Sequence, residues 1–401
     1  MSQLITHIGE LTTNTERGRI RGAALVIEDG VVAWIGEPFD APAADTRIDA
    51  GGRALLPGWV DSHSHIVFDG DREGEFEARM AGEPYAAGGI ATTVSATRAA
   101  TSERLMGRAI TLRSEALRQG TTTLETKTGY GLDVETERRI AQVASRAVEA
   151  VTFLGAHVVP AGVDRRDYLD QVTGPMLDAV LPYVSAIDVF CESGAFDAEE
   201  SREVLLAGRA AGLDLHVHGN QLGQGPGALL AVELDALSVD HATHLSDADI
   251  DSLGASRTVA TVLPACDLST RQPLAPARRL LDAGATVAMA TNCNPGSSFT
   301  TSMPFCIATA VLQMGLSVEE AVFAATRGGA LALGAGRELG PSRTGATRIR
   351  KGRGIHPGTG TIDIGVPADL QLLDAPSVAY LAYRPGIAWQ PDVWRGGRRV
   401  A

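Results

Sequence analysis

Short apolar runs recur through the middle of the chain, and each ends in polar residues before a helix-like segment begins. The runs are Leu55–Val60, Thr121–Glu125, Val151–Ala156, Ala186–Phe190, Leu213–Val217, Leu237–Val239, Val259–Leu263 and Thr286–Ala290. Between them lie helical periodicities. In Thr101–Gln119, for example, Leu105, Ala109, Leu112 and Ala116 fall on one face. Ser246-x-x-Asp249 and Ser317-x-x-Glu320 have the spacing of capping boxes at helix starts. This alternation predicts an α/β protein. Eight such units fit a (β/α)8 TIM barrel, for which roughly 250 residues is typical. A doubly wound sheet is the competing architecture. No glycine-rich phosphate fingerprint follows the early runs, however, and polar residues gather at nearly every run's C-terminal end, where a barrel concentrates its chemistry.

The chain ends read differently. Ala24–Glu28 and Val31–Ile35 flank Asp29-Gly30, and an Asp-Gly pair between apolar runs predicts a hairpin because its turn needs positive φ at both central positions. Gly360–Gly365 and Ala368–Leu373 are short strand-like runs near the C-terminus. The two ends are therefore expected to pair into one small β domain, with domains at 1–56, 57–345 and 346–401.

Composition narrows the function classes. Of 401 residues, 44% are hydrophobic and 21% charged, enough apolar surface to exclude a disordered chain. The net charge of −13 argues against a general nucleic-acid binder. The basic stretch Arg343–Arg353 is short and Gly-containing and reads as a solvated loop. Cys191, Cys266, Cys293 and Cys306 show no C-x-x-C spacing, which fits a reduced cytosolic protein. The first 21 residues have no long apolar core, and no uncharged run reaches the roughly 18 residues of a membrane span. A cytoplasmic protein with no membrane contact is expected.

His63-Ser64-His65 follows the first run, and residues two apart in an extended segment point the same way, so two imidazoles could share one metal. Alone, H-x-H is more often a pair of ordinary loop histidines. His157, His218 and His241 change that balance, since each sits at the end of a separate run. His216 lies earlier in its run and reads as structural; His7, His244 and His356 have no such placement. Arg72, in Phe68–Arg72, and Tyr130, in Lys127–Gly131, would suit a small carboxylate, which a guanidinium can hold bidentately. Asn292–Ser298 reads as a turn, or as a loop whose amides and Ser297 hold a polar ligand.

Pro57–His65 resembles the first-strand signature of the amidohydrolase superfamily. A finer similarity is to the imidazolonepropionase family. It is carried by VFDGDREGEFEARMAG (67–82), GGIATTVSATRAA (88–100), ETKTGYGL (125–132), TFLGAHVVP (152–160), DVFCESGAFD (188–197), SVDHATHL (238–245) and NPGSSFTTSMP (294–304). The resemblance implies a barrel with a β-sandwich built from both termini. It also implies one divalent metal, zinc or iron, with ligands at His63, His65, His218 and Asn292. Substrate contacts would fall on Arg72, Tyr130, His157, Gln221, Asn294, Gly296 and Ser297, and catalytic positions on His241 and Gln221. The implied activity is hydrolytic opening of imidazolone propionate, a small-molecule substrate, and the family often forms homodimers. Two positions depart from the common pattern. Superfamily members usually carry Asp at Asn292, and some carry Glu at Gln221; neither amide can act as a base, which leaves His241 as the best candidate. Another amidohydrolase acting as an aminohydrolase, and a catalytically impaired ligand-binding homologue, remain as alternatives.

Overall fold

The computed structural model describes residues 1–82, 89–337 and 355–401. The basic stretch Arg343–Arg353 lies outside them, as does the expected boundary at 345/346. Eight parallel strands run in sequence order around one sheet: β1 (Trp59–Asp61), β2 (Thr121–Lys127), β3 (Ala150–Ala156), β4 (Ala186–Cys191), β5 (Asp214–Gly219), β6 (Ser238–His241), β7 (Val259–Val262) and β8 (Val287–Met289). Helices follow most strands and cover them outside, so the strand residues are almost all buried. The fold is the (β/α)8 barrel read from the sequence. The doubly wound alternative is excluded by neighbour-to-neighbour strand order.

The barrel closes at the C-terminal ends of its strands. The loop after β1 meets the loop after β8: Asn292 N–H donates to the His63 carbonyl at 2.9 Å and His65 N–H to the Cys293 carbonyl at 2.9 Å. Asp61, at the end of β1, accepts from the Thr291 amide at 3.0 Å and its hydroxyl at 2.6 Å. Burial pushes the Asp61 carboxyl up to about 6. The seam thus brings His63, His65 and Asn292 together through backbone pairing.

The chain ends form two further sheets. Gln3–Thr6 sits between Ala24–Glu28 and Thr46–Asp49, and Val31–Gly36 extends that sheet beyond Ala24–Glu28. The expected hairpin is present, with φ of 50° at Asp29 and 87° at Gly30. A six-stranded sheet runs Arg398–Arg399, Asp392–Arg395, Leu370–Leu373, Ala54–Pro57, Glu10–Thr12, Arg19–Arg21, so C-terminal strands pair directly with N-terminal ones. Ile5, Leu11, Ile27, Leu55, Leu370 and Trp394 fill a core of their own here. Two details differ from the pattern reading. The run Leu55–Val60 is two strands in two sheets, turned at Gly58, where a Cβ would lie 2.2 Å from the Thr122 hydroxyl. The 360–365 run forms turns instead of a strand, although Ile362 is fully buried.

Candidate active site

The strand ends open into one cavity. His65, His218, His241 and Asn292 line it together with Arg72, Tyr130, His157, Gln221, Asn294 and Ser297. His63 lies beneath, fully buried. Gly296 lies behind Arg72, and a Cβ there would sit 2.1 Å from Nη1 of the guanidinium. Every site residue expected from the sequence is therefore in or directly against this cavity. The residues the sequence reading set aside fall elsewhere. His216 is buried with Nδ1 2.8 Å from the Ser238 hydroxyl, His7 pairs with Asp49 on the surface, His244 meets Gln272, and His356 is half-buried.

The imidazoles are aimed by carboxylates. His63 donates Nδ1–H to Asp240 at 2.7 Å, and His218 donates Nδ1–H to Asp188 at 2.9 Å. Each therefore keeps its Nε2 lone pair for another partner. Nε2 of His65 lies 3.3 Å from Nε2 of His63. Burial, with Lys127 and the neighbouring imidazoles adding to it, holds His63 well below the usual histidine range. Burial and His63 do the same for His65. Both rings are thus neutral; Nδ1 of His63 is taken by Asp240, and Nδ1 of His65 is buried without a hydrogen-bond partner, so His65 is free to carry its proton there and offer Nε2 to a cation. One nitrogen from each of His63, His65 and His218 falls within 4.8 Å of the others. Oδ1 of Asn292 is buried beside them without a hydrogen-bond partner. Converging nitrogen lone pairs and an orphaned amide oxygen are a donor set that fits a divalent cation. The residues at this end of the barrel are placed to bind a metal.

Strained backbone sets several of these side chains. Asn292 has φ of 52°, Asn220 of 58° and His241 of 77°, the left-handed region that ordinary residues seldom adopt. His241 follows β6 directly into this turn, and its ring centroid lies 5.4 Å from that of His218. Burial and His218 keep His241 neutral. Its Nδ1 is 4.0 Å from the Cys266 thiol, which burial pushes up to about 12.

The wall opposite is polar but organised. Arg72 places Nε at 3.0 Å and Nη2 at 2.6 Å from one oxygen of Glu75. Tyr130 sits in a turn shaped by Glu137, whose carboxylate accepts from the amides of Gly129 at 2.9 Å, Gly131 at 2.6 Å and Leu132 at 2.9 Å. His157 stacks near His65, with 6.0 Å between centroids, and donates Nδ1–H to the Gly129 carbonyl at 3.0 Å. In the loop after β8, the amides of Gly296 and Ser297 both donate to Oδ1 of Asn294 at 2.8 Å. The Ser297 hydroxyl also accepts from Nδ2 of Asn294 at 2.9 Å, so Asn294 holds both the amides and the side chain of this loop.

Pattern reading missed Glu75, Glu137, Asp188, Phe190, Asp240 and Cys266. Asp188 and Asp240 had a visible signal, since each is a charged residue inside an otherwise apolar strand. Phe190 had none, because an apolar strand residue looks the same whether it faces the core or the cavity.

Comparison with known proteins shows the family and the fold. No protein-family model matches the chain. An imidazolonepropionase of Saccharopolyspora erythraea is 60% identical over 400 residues, covering 100% of this chain and 99% of that one. The chain belongs to the imidazolonepropionase family. Another member, from Paenarthrobacter aurescens, is 57% identical over 413 residues, covering 100% of this chain and 98% of its own. Among solved structures, a triazine hydrolase from Arthrobacter aurescens superposes with a TM-score of 0.74 at 17% identity, covering 99% of this chain and 94% of that one. A zinc-bound adenosine deaminase from Xanthomonas campestris superposes with a TM-score of 0.68 at 18% identity, covering 99% and 92%. At such identity these two speak for the shared amidohydrolase fold alone. This member of the imidazolonepropionase family thus joins the barrel, the terminal sheets and the histidine cluster in one chain.

Proposed function

We propose that this chain hydrolyses 4-imidazolone-5-propanoate to N-formimino-L-glutamate, the ring opening of histidine breakdown. The observation that carries the reading is 60% identity to an imidazolonepropionase across essentially the whole of both chains. The cavity supports it, because it joins a metal-fitting imidazole cluster to an arginine and a tyrosine.

In this reading one zinc or iron ion is held by His63, His65, His218 and, more weakly, Asn292, whose amide carries no charge. A bound divalent ion supplies Lewis-acid polarisation and lowers the pKa of a water in the site from about 15.7 toward 7. The chain's own residues do the rest. Arg72 binds the propionate carboxylate, sharing its guanidinium with Glu75 or displacing it. Tyr130 and His157 hold the ring so that its carbonyl points at the imidazole cluster. Asn294 fixes the loop that presents Ser297. Water adds its oxygen to the ring carbonyl carbon, and the ring C–N bond breaks. The departing nitrogen keeps the formimino carbon and takes one proton.

His241 is the residue that moves the proton, since its neutral imidazole can accept it from water and pass it on. Gln221 orients groups by hydrogen bonding only, since an amide cannot act as a base. The reaction is placed in the cytoplasm, which four free, buried thiols support.

The test is direct. Purified protein is incubated with imidazolone propionate, and the product is identified by mass spectrometry beside an ammonia assay. A product one water heavier than substrate, with no ammonia released, is expected. Release of ammonia would reassign the chain to an aminohydrolase.

A further inference from the structure

The chain meets its need for cations almost wholly with arginine. Among 35 Lys and Arg residues only Lys127 and Lys351 are lysines. Lys127 is the one lysine among the described residues, and it is fully buried inside the barrel at the end of β2. Burying an ammonium is costly unless partners compensate. Its Nζ lies 2.9 Å from Asp188, 3.3 Å from Glu125 and 3.4 Å from Asp240. Lys127 stands on β2, Asp188 on β4 and Asp240 on β6. The layer that alternate strands normally fill with branched apolar side chains is here built of charge.

The connections run upward. The Asp188 oxygen nearest Lys127 also accepts from Nδ1 of His218, and the Asp240 oxygen nearest Lys127 also accepts from Nδ1 of His63. The remaining oxygens are fixed as well. Oδ1 of Asp188 takes the His218 amide at 3.1 Å, and Oδ1 of Asp240 takes the Ser238 hydroxyl at 2.6 Å. One compact ammonium therefore ties together the two carboxylates that orient two imidazoles. An arginine fork would not suit this place, because three acceptors surround a point. Burial alone would lower the Lys127 pKa, but Asp188, Glu125 and Asp240 raise it on balance, so the charge is present.

We propose that Lys127 is a positioning residue for the metal site, holding Asp188 and Asp240 so that His218 and His63 turn Nε2 toward a shared divalent cation. This rests on the reading that the imidazole cluster binds metal. It adds that the affinity depends on a group that touches neither the metal nor the ligand imidazoles.

The test measures zinc binding, with no turnover needed. Zinc affinity is read by competition with a chromophoric chelator for wild type, Lys127→Met and Lys127→Gln, and cobalt absorption reports the ligand geometry. Loss of an outer partner of metal ligands typically costs about 10- to 100-fold in affinity. A loss of that size and an altered cobalt spectrum are expected for Lys127→Met in the folded fraction, with a smaller loss for Lys127→Gln. A purely structural lysine would lower the melting temperature of the metal-free protein and leave the zinc affinity of folded molecules unchanged; that result overturns the proposal. If neither variant folds, 15N-lysine labelling of wild type decides, since only two lysines are visible. The Lys127 ammonium signal must then shift when zinc is added, and an unmoved signal overturns the proposal. Wild type that binds no zinc would instead overturn the metal reading itself.

Discussion

Arg72 is held between two demands. Glu75 accepts from both Nε and Nη2, yet the guanidinium lines the cavity and packs against Gly296. Glu75 is half-buried and holds the guanidinium through one oxygen alone, so a substrate carboxylate able to engage the fork bidentately can compete for it. Arg72→Met is expected to raise KM at least tenfold while kcat falls far less, as steady-state kinetics would show. An unchanged KM would remove Arg72 from substrate binding. His157 offers a test through pH. Burial and His218 lower its pKa from 6.5 to about 4 in the folded chain. Between those values the unfolded chain takes up the proton first, so this residue makes stability fall as pH falls from about 6.5 to about 4. Replacing His157 by Gln is expected to flatten that part of the melting-temperature profile of metal-free protein, measured by calorimetry. An unaltered slope would mean that His157 is not desolvated as described.

The tightest fit among the elements is where the chain passes from the terminal sheet into the barrel. Gly58 separates Ala54–Pro57 from Trp59–Asp61, and a Cβ would collide with Thr122. Gly58→Ala is expected to destabilise the protein by about 1–3 kcal/mol, the usual cost of overpacking, read from denaturant unfolding. No loss would mean that β2 yields easily at Thr122. The elements were largely legible because their signals are local. Ser246 and Ser317 form the capping boxes their spacing implies, and each barrel strand overlaps one of the apolar runs. What escaped depends on tertiary contact. Hydropathy does not say that Leu55 and Val60 lie in different sheets, nor that Ile362 is buried without belonging to a strand. In the site, single histidines at strand ends could be named in advance. Glu137, which folds the Tyr130 turn from the following helix, could not, since nothing in an amphipathic helix marks one glutamate as an acceptor for a loop.

For the molecule as a whole, the barrel closure and the chemistry are one feature. The backbone bonds that join the loops after β1 and β8 are the same ones that place His63, His65 and Asn292. A cation gathered by residues from β1, β5 and the β8 end would tie the two sides of the seam together, so metal should stabilise the closed barrel. The linkage is about 4.1 kcal/mol when free metal exceeds its dissociation constant a thousandfold. Asn292 sets the weak point of that ring, because its oxygen is buried and unpartnered but uncharged. The most direct measurement is ring opening of imidazolone propionate followed by its ultraviolet absorbance against metal content. It would be run on protein stripped by a chelator, on stripped protein reloaded with zinc or iron, and on Asn292→Asp prepared alike. Turnover that vanishes on stripping and returns in proportion to metal, up to about one ion per chain, is the expected result, with tighter metal retention in Asn292→Asp. Turnover that persists in fully stripped protein, or none in either loaded protein, would contradict a metal-dependent imidazolone hydrolase built on His63, His65 and His218.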